Sequence, residues 1–298
     1  MNYIAIDIGG SAIKAAIVNS EGMILEKTST PTPMTNYDDL ISELTTIVNW
    51  AMAISPIDGI AMSQPCVTDA KTGEALSEGA LIYINGTNPS KDLGEKYNLP
   101  YSADNDGNCA ALAEVWIGRA KDVNDIALVV CGSGIGGAVV LDKKIYSGNR
   151  RFAGEFGFII NGYEADGTPI IWSANGSTLS LVKNYASKTN KEVKSLNGKL
   201  VFELAESGDI KAQESIDHFF KMFAYGLHNI QHVYDPELIL IGGAISNRPD
   251  FVKNIELEFD KLYEQLFGFM SRPNVAICAC GADANLIGAV YHLINKYK

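Results

Sequence analysis

The first thirty residues fall into short apolar runs broken by turn residues. Tyr3 to Asp7 is one run, ending at Gly9-Gly10. Ala12 to Asn19 is a second, Glu21-Gly22 a turn, and Met23 to Thr30 a third, so the chain is predicted to open as strand, turn, strand. Tyr37 to Met52 then carries Leu40, Ile41, Leu44, Ile47, Val48 and Ala51 at the spacing of one helix face, and Pro56 stops it. Ile57 to Met62 reads as a buried strand. Residues 63–100 are rich in Gly, Pro, Asn and Thr and read as loops, with a short helix near Lys91 to Lys96.

Further on, Tyr101 to Asn105 is predicted as a strand and Asn108 to Ile117 as a helix. Ile126 to Cys131 is a strand, Gly132 to Gly137 a glycine loop, and Ala138 to Leu141 a strand again. From Ala174 the pattern turns mostly helical, with helices over Ile210 to Val233, Phe251 to Phe267 and Gly281 to Tyr297. Between them Leu238 to Ile241 is an apolar strand that ends in Gly242-Gly243. Strand, glycine turn, strand therefore occurs twice, at Ile4–Lys14 and Ala127–Leu141. In a chain of 298 residues this fits two similar halves with a cleft between them.

Composition narrows the partners. Hydrophobic residues make up 47% and charged residues 20%, which suits a folded core, and the net charge is −11. The longest basic clusters are the pairs Lys143-Lys144 and Arg150-Arg151, so neither nucleic acid nor an anionic membrane is an expected partner. No run approaches the ~18 apolar residues of a membrane span. The first residues carry no basic region or cleavage motif of a secretion signal. The five cysteines, Cys66, Cys109, Cys131, Cys278 and Cys280, are odd in number and irregular in spacing, which points to free thiols in a reducing cytoplasm. Cys278 and Cys280 are expected to end a strand that starts at Val275.

The chemistry gathers at glycines and carboxylates. Asp7-Ile8-Gly9-Gly10-Ser11 with Lys14 sets a carboxylate at a strand end beside two glycines. Glycine brings backbone N–H groups close to phosphate oxygens, Ser11 adds a donor, and Asp7 can hold Mg²⁺ through water. A plain hairpin turn explains the same glycines. Gly132-Ser133-Gly134-Ile135-Gly136-Gly137 matches the dinucleotide fingerprint, but that motif must open a helix and Ala138 to Leu141 is β-branched and short. It matches the protein-kinase glycine loop too, yet no His-Arg-Asp or Asp-Phe-Gly is present. What remains is a second phosphate-contacting hairpin. Gly242-Gly243 either admits an adenosine to the backbone or is an ordinary turn.

Asp104-Asn105-Asp106-Gly107-Asn108 ends a strand and precedes a helix. One Asp or Asn there is an N-cap. Four exceed what a cap requires, and an aspartate can take a proton from an attacking hydroxyl while Asn105 holds the same substrate. His228 and His232 share the i, i+4 spacing of zinc peptidases, but the intervening Asn229-Ile230-Gln231 lacks the glutamate, so no metal site is expected.

Together these segments resemble the ROK family of bacterial sugar kinases, in the actin/hexokinase superfamily. The resemblance rests on Asp7-x-Gly9-Gly10-Ser11-x-x-Lys14, Asn105 to Glu114, Gly132 to Gly137, Ala153-Gly154-Glu155-Phe156-Gly157, Gly208-Asp209 and Ile241-Gly242-Gly243-Ala244. It implies an α/β, actin/hexokinase-like (ribonuclease H-like) fold of two domains with a cleft between the halves. The expected domains are residues 1–117, joined by a C-terminal helix of about 283–298, and residues 118–282. It implies an ATP-dependent sugar kinase acting on a sugar hydroxyl, with Mg²⁺ as cofactor and a cytoplasmic homodimer as the assembly. Asp106 takes the place of the general base, and Asn105 and Glu155 those of sugar ligands. Asp7, Gly9, Gly10, Ser11, Lys14, Gly132, Ser133, Gly134, Gly136, Gly242 and Gly243 take those of the Mg·ATP cradle, with Asp7 toward the metal through water.

The chain departs from the family pattern at one place. Phe158 stands where most ROK kinases have a histidine, and no Cys or His occurs between Phe158 and Ser177, so no structural zinc is expected. The position of a further sugar-binding glutamate aligns with Ser173. This zinc-less pattern is similar to the bacterial β-glucoside kinases, whose substrates carry a group on the anomeric oxygen. Phe158, Tyr163 and Trp172 then either form an aromatic platform for that group or fill space that zinc once ordered. N-acetylmannosamine kinase, glucokinase and fructokinase are alternatives within the family. A non-catalytic sugar sensor is a further one, against which the retained Asp7 and Asp106 count. Family repressors carry a helix-turn-helix before the first glycine loop, which here starts at residue 7.

Overall fold

Alternating apolar residues build two mixed sheets. The computed structural model describes residues 1–266 and 271–298, and the expected helix end at Phe267 lies outside them. Residues 1–122, 143–152 and 279–298 form the first unit, and residues 123–142 and 153–278 the second.

In the first unit β1 (Asn2–Ile8), β2 (Ala12–Asn19) and β3 (Ile24–Pro31) form an antiparallel meander. The Asn19 side chain accepts from the backbone of Glu21 and Met23 and shapes the second turn. α1 (Tyr37–Ile54) starts at Asn36, whose side chain caps the N–H of Asp39, with Asp38 and Asp39 favourably placed in the positive first turn. β4 (Ile60–Gln64) runs parallel to β1, beginning three residues later than Ile57 because the backbone at 58–59 is spent on bonds to Asn2 and Ile4. α2 (Pro89–Tyr97) follows Asn88 as cap and Pro89 as first residue. It leads to β5 (Tyr101–Asn105), parallel to β4, and α3 (Asp106–Trp116). The sheet order is β3-β2-β1-β4-β5.

One face of this sheet buries Ile4, Ile6, Ile8 and Met62 against Leu40, Leu44 and Val48 of α1. The other buries Tyr3, Ala5 and Val18 against the chain's last helix, which packs on α3. There a Cβ on Gly288 would overlap the carbonyl of Cys109, so the two helix backbones touch.

In the second unit β6 (Ile126–Cys131) and β7 (Ile135–Leu141) form an antiparallel hairpin. The glycine loop is shorter than expected, because Gly136 and Gly137 already pair with Val130 and Val129 as strand residues. The two-residue β8 (Lys144–Ile145) lies in the segment assigned to the first unit. A small hairpin of β9 (Ile160–Tyr163) and β10 (Pro169–Ile171) leads into α4 (Trp172–Gly176), α5 (Thr178–Thr189), α6 (Gly198–Glu206) and α7 (Ile210–Tyr234). β11 (Leu238–Gly242) is parallel to β6, α8 spans Phe251–Gln265, and β12 (Val275–Ile277) is parallel to β11. β12 ends before Cys278, whose N–H closes the ladder on Ile241, so the two late cysteines are not strand residues. The last helix, in the first unit, is α9 (Ala284–Lys296). The order β12-β11-β6-β7 repeats the first unit's pattern of a hairpin flanked by parallel strands. Its core holds Trp172, Phe219, Phe223, Phe251 and Phe259.

Candidate active site

In the first unit the sheet lines up the carboxyl ends of its parallel strands. Asp7 of β1 is in register with Ser63 of β4, and Ser63 with Asp104 of β5. Open α/β sheets bind ligands beyond these ends. Asp7 is 8% exposed, and its Oδ1 accepts from Ser63 Oγ at 2.7 Å and from Asn285 Nδ2 at 3.1 Å. Past the end of β1 the Gly9 N–H bonds Ala12 O, and a Cβ on Gly9 would overlap that carbonyl. The turn itself therefore demands Gly9. Thr32 ties the hairpin down through its hydroxyl to Gly9 O and its N–H to Ser11 O. Gly10, Ser11 and Lys14 are exposed, and Lys14 stands across from Asp7 in the β1–β2 ladder.

The Asp/Asn cluster divides its labour at the start of α3. Asn105 is the N-cap: its Oδ1 accepts from the N–H groups of Gly107 and Asn108, and its Nδ2 donates to Cys66 O. Asp104 is buried beneath and accepts from the Asn105 N–H at 2.8 Å and Asn108 Nδ2 at 2.9 Å. Burial pushes its carboxyl above the usual range despite the charges of His292 and Arg151. Burial pushes His292 down in turn. Arg151 is also ion-paired to Asp69 at 2.8 Å. Asp106 is the first helical residue, partly exposed, with Oδ1 accepting from the Gly107 N–H at 2.8 Å. A carboxylate there lies in the favourable field of the helix N-terminus.

In the second unit the β6–β7 turn is Gly132-Ser133-Gly134, closed by the Gly132 N–H on Gly134 O at 2.9 Å. Ser173 Oγ accepts from the Ile135 N–H at 2.9 Å and fixes the hairpin on α4. The position suggested for a sugar-binding glutamate thus bears a structural serine. Gly243, at φ +99°, crosses the base of the hairpin so closely that a Cβ would overlap Cys131 O. Gly242 precedes it at the end of β11. The hairpin and the Gly242-Gly243 turn are therefore neighbours within this unit. Beside them a groove of about 330 Å³ is lined by Gly132, Ser133, Thr178, Leu196, Asn197 and Ile245. No motif in the sequence marks the last four.

Glu155 and Phe158 bound one short 3₁₀ turn, the Phe158 N–H bonding Glu155 O. Glu155 is half-buried and its carboxyl is pushed up by burial, whereas Phe158 is 66% exposed. Phe156 and Gly157 between them are buried.

Some expectations need correction. Trp172 is fully buried against Phe223 and the helix backbone at Gly176 and Gly226, so it belongs to the core and not to an aromatic platform. Tyr163 and Phe158 are the exposed members of that trio. His228 and His232 stack with ring centroids 4.2 Å apart. The Nδ1 of His228 bonds the Tyr263 hydroxyl and that of His232 the carbonyl of His228. Ser63 and Asn285, the partners of Asp7, carry no signal in the sequence: a buried strand serine and a helix asparagine are commonplace.

Comparison with known proteins bears on the family and the fold. The family model of the ROK family matches residues 3–296. A protein named β-glucoside kinase from Klebsiella pneumoniae is 32% identical over 100% of this chain and 98% of its own length. One of the same name from Listeria monocytogenes is 30% identical over 99% of this chain and 98% of its own. Among solved structures, a ROK family protein from Streptococcus pneumoniae in complex with sucrose superposes with a TM-score of 0.90 at 32% identity, covering 100% of this chain and 99% of that one. The two mixed sheets are those of the actin/hexokinase-like α/β fold.

Proposed function

This chain belongs to the ROK family, and from that membership we propose that it is an ATP-dependent sugar kinase that phosphorylates a glucose unit, at its 6-hydroxyl, within a β-glucoside such as cellobiose. One observation carries the kinase reading. Among the described residues, a Cβ placed on Gly132 or on Gly136 would meet nothing within 4 Å, and neither glycine has a positive φ. The fold makes no demand for glycine there, whereas a phosphate chain that must touch the backbone does.

Phosphoryl transfer needs positioning and charge neutralisation more than covalent help. In the first unit, Gly10 and Ser11 offer hydrogen-bond donors to phosphate oxygens. In the second, Ser133 and Gly134 do the same, Gly132 and Gly136 leave the backbone open to the phosphate chain, and the groove beside Gly243 takes the adenosine. Asp7 fits Mg²⁺, which accepts few carboxylates and keeps its waters. When bound, the metal supplies neutralisation of phosphate charge. Asp106 accepts the proton of the sugar hydroxyl as its oxygen bonds to the γ-phosphorus. The bond from that phosphorus to the β–γ bridging oxygen breaks, and ADP leaves. Asn105 and Glu155 hold neighbouring hydroxyls, and Phe158 stacks on the group at the anomeric oxygen. The exposure of Phe158, three residues from Glu155, supports that pairing.

The family resemblance and five free cysteines support a cytoplasmic homodimer. The test is a coupled ADP-release assay across cellobiose, glucose, fructose and N-acetylmannosamine. Cellobiose turning over well above glucose is the expected result. Turnover of glucose with none of cellobiose overturns the β-glucoside assignment, and no turnover of any sugar overturns the kinase.

A further inference from the structure

Among the described residues, Asp7 is gripped at one oxygen only. Ser63 Oγ and Asn285 Nδ2 both donate to Oδ1, at 2.7 and 3.1 Å, and neither reaches Oδ2. Ser63 arrives through strand register, since β1 and β4 place it beside Asp7. Asn285 arrives from the far end of the chain, as the second residue of α9. It does not serve the helix it stands on: the N-cap position is Asp283, which makes no side-chain cap bond and pairs instead with Lys27. Its amide is spent on the carboxylate of another element, 278 residues away in sequence.

Two donors on one oxygen fix the rotation of a carboxylate and leave the other oxygen to accept from elsewhere. Metal-bound waters are donors, and a carboxylate that meets Mg²⁺ through them works best when its plane is already set. We propose that Asn285 is a positioning residue for the contact between Asp7 and hydrated Mg²⁺, so that the C-terminal helix tunes metal-dependent nucleotide binding. This rests on the Mg·ATP assignment made above and adds to it a residue that touches neither metal nor nucleotide.

The experiment is calorimetric titration of the full-length protein with ADP, once in saturating Mg²⁺ and once in EDTA. The quantity read is the ratio of the two dissociation constants, which needs no turnover. For Asn285→Ala the ratio falls about tenfold, in the range usual for partners of metal-binding groups, while affinity in EDTA is unchanged. Asn285→Leu, close in volume and without a donor, gives the same loss if the alanine variant is poorly folded. Asp7→Asn removes the Mg²⁺ effect altogether. If Asp7→Asn loses the ratio while both Asn285 variants keep it, the positioning role is overturned and the metal assignment stands. If Asp7→Asn keeps the ratio, the metal assignment itself is wrong and the positioning role falls with it.

Discussion

Asp106→Asn separates chemistry from stability, and both sides follow from the start of α3. The Oδ1 of Asp106 accepts from the Gly107 N–H at 2.8 Å, and the Asn105 side chain caps the same turn. An asparagine keeps the shape and that acceptor. It loses one negative charge at the positive end of the helix, which costs about 0.3–1 kcal/mol. A loss of about 1 kcal/mol shifts Tm by only about 2–4 °C in chains of roughly 150–250 residues, and less in a longer one. The chemical loss is larger. An amide cannot take the proton of the sugar hydroxyl, and a positioned base contributes about 10²–10⁴-fold, or about 2.7–5.5 kcal/mol. The assay is kcat from coupled ADP release beside a thermal melt of the same preparation. The expectation is kcat down by at least about a hundredfold with Tm within a few degrees. Turnover within tenfold of the parent at an unchanged Tm would refute the assignment of the base.

The glycines give a second separation. Gly132→Ala leaves Tm unchanged or slightly raised, by about 0.4–1 kcal/mol of lost unfolded-state freedom, but raises KM for ATP; an unchanged KM removes the phosphate contact. Gly243→Ala, at φ +99° and against Cys131 O, lowers stability by at least about 1 kcal/mol, read by denaturant melts; full stability would mean the crossing can relax. Glu155 supplies a pH prediction. Its folded carboxyl is pushed up by burial, so its contribution to stability is present below the unfolded value and lost as pH rises through the folded one. Glu155→Gln therefore gains Tm relative to the parent at pH 7 and loses that gain at pH 4; an equal difference at both pH values contradicts the buried-carboxyl account.

Much of the fold was legible because its signals are local. The Asp/Asn cluster before α3 announces a cap, which is Asn105, and β1, β2, β5 and β6 are runs with turn residues at both ends. The misreadings have physical causes. Gly136 and Gly137 look like loop residues but hold strand register opposite Val130 and Val129, and Phe156 packs where a Gly137 side chain would stand. For Trp172 the sequence left a platform and a space-filling role both open, and the structure selects the second. Its burial is decided by Gly226 on α7, fifty-four positions away, where any side chain would overlap the indole. Nothing in residues 143–152 announces that the chain crosses into the first unit there. That assignment depends on long-range partners such as Asp69, which holds Arg151.

The site was legible as a set of types and not as a set of reasons. Gly9, Gly132, Gly136, Gly137 and Gly243 read alike as glycine-loop letters. The structure sorts them. Gly9, Gly137 and Gly243 are required by carbonyls or rings of this chain itself, and alanine at any of them would be costly in the free protein. Gly132 and Gly136 are required by nothing among the described residues. A residue whose identity the fold leaves open, at a position where glycine's entropy cost is real, points to something outside the chain. The carboxylates sort by the same criterion. Asp104 has its Oδ1 held by Asn105 and Asn108 of its own strand end and helix start, whereas the Oδ1 of Asp7 is held by two elements distant in sequence, β4 and α9. The unexplained glycines and the aimed carboxylate, more than the motif that contains them, locate the nucleotide chemistry.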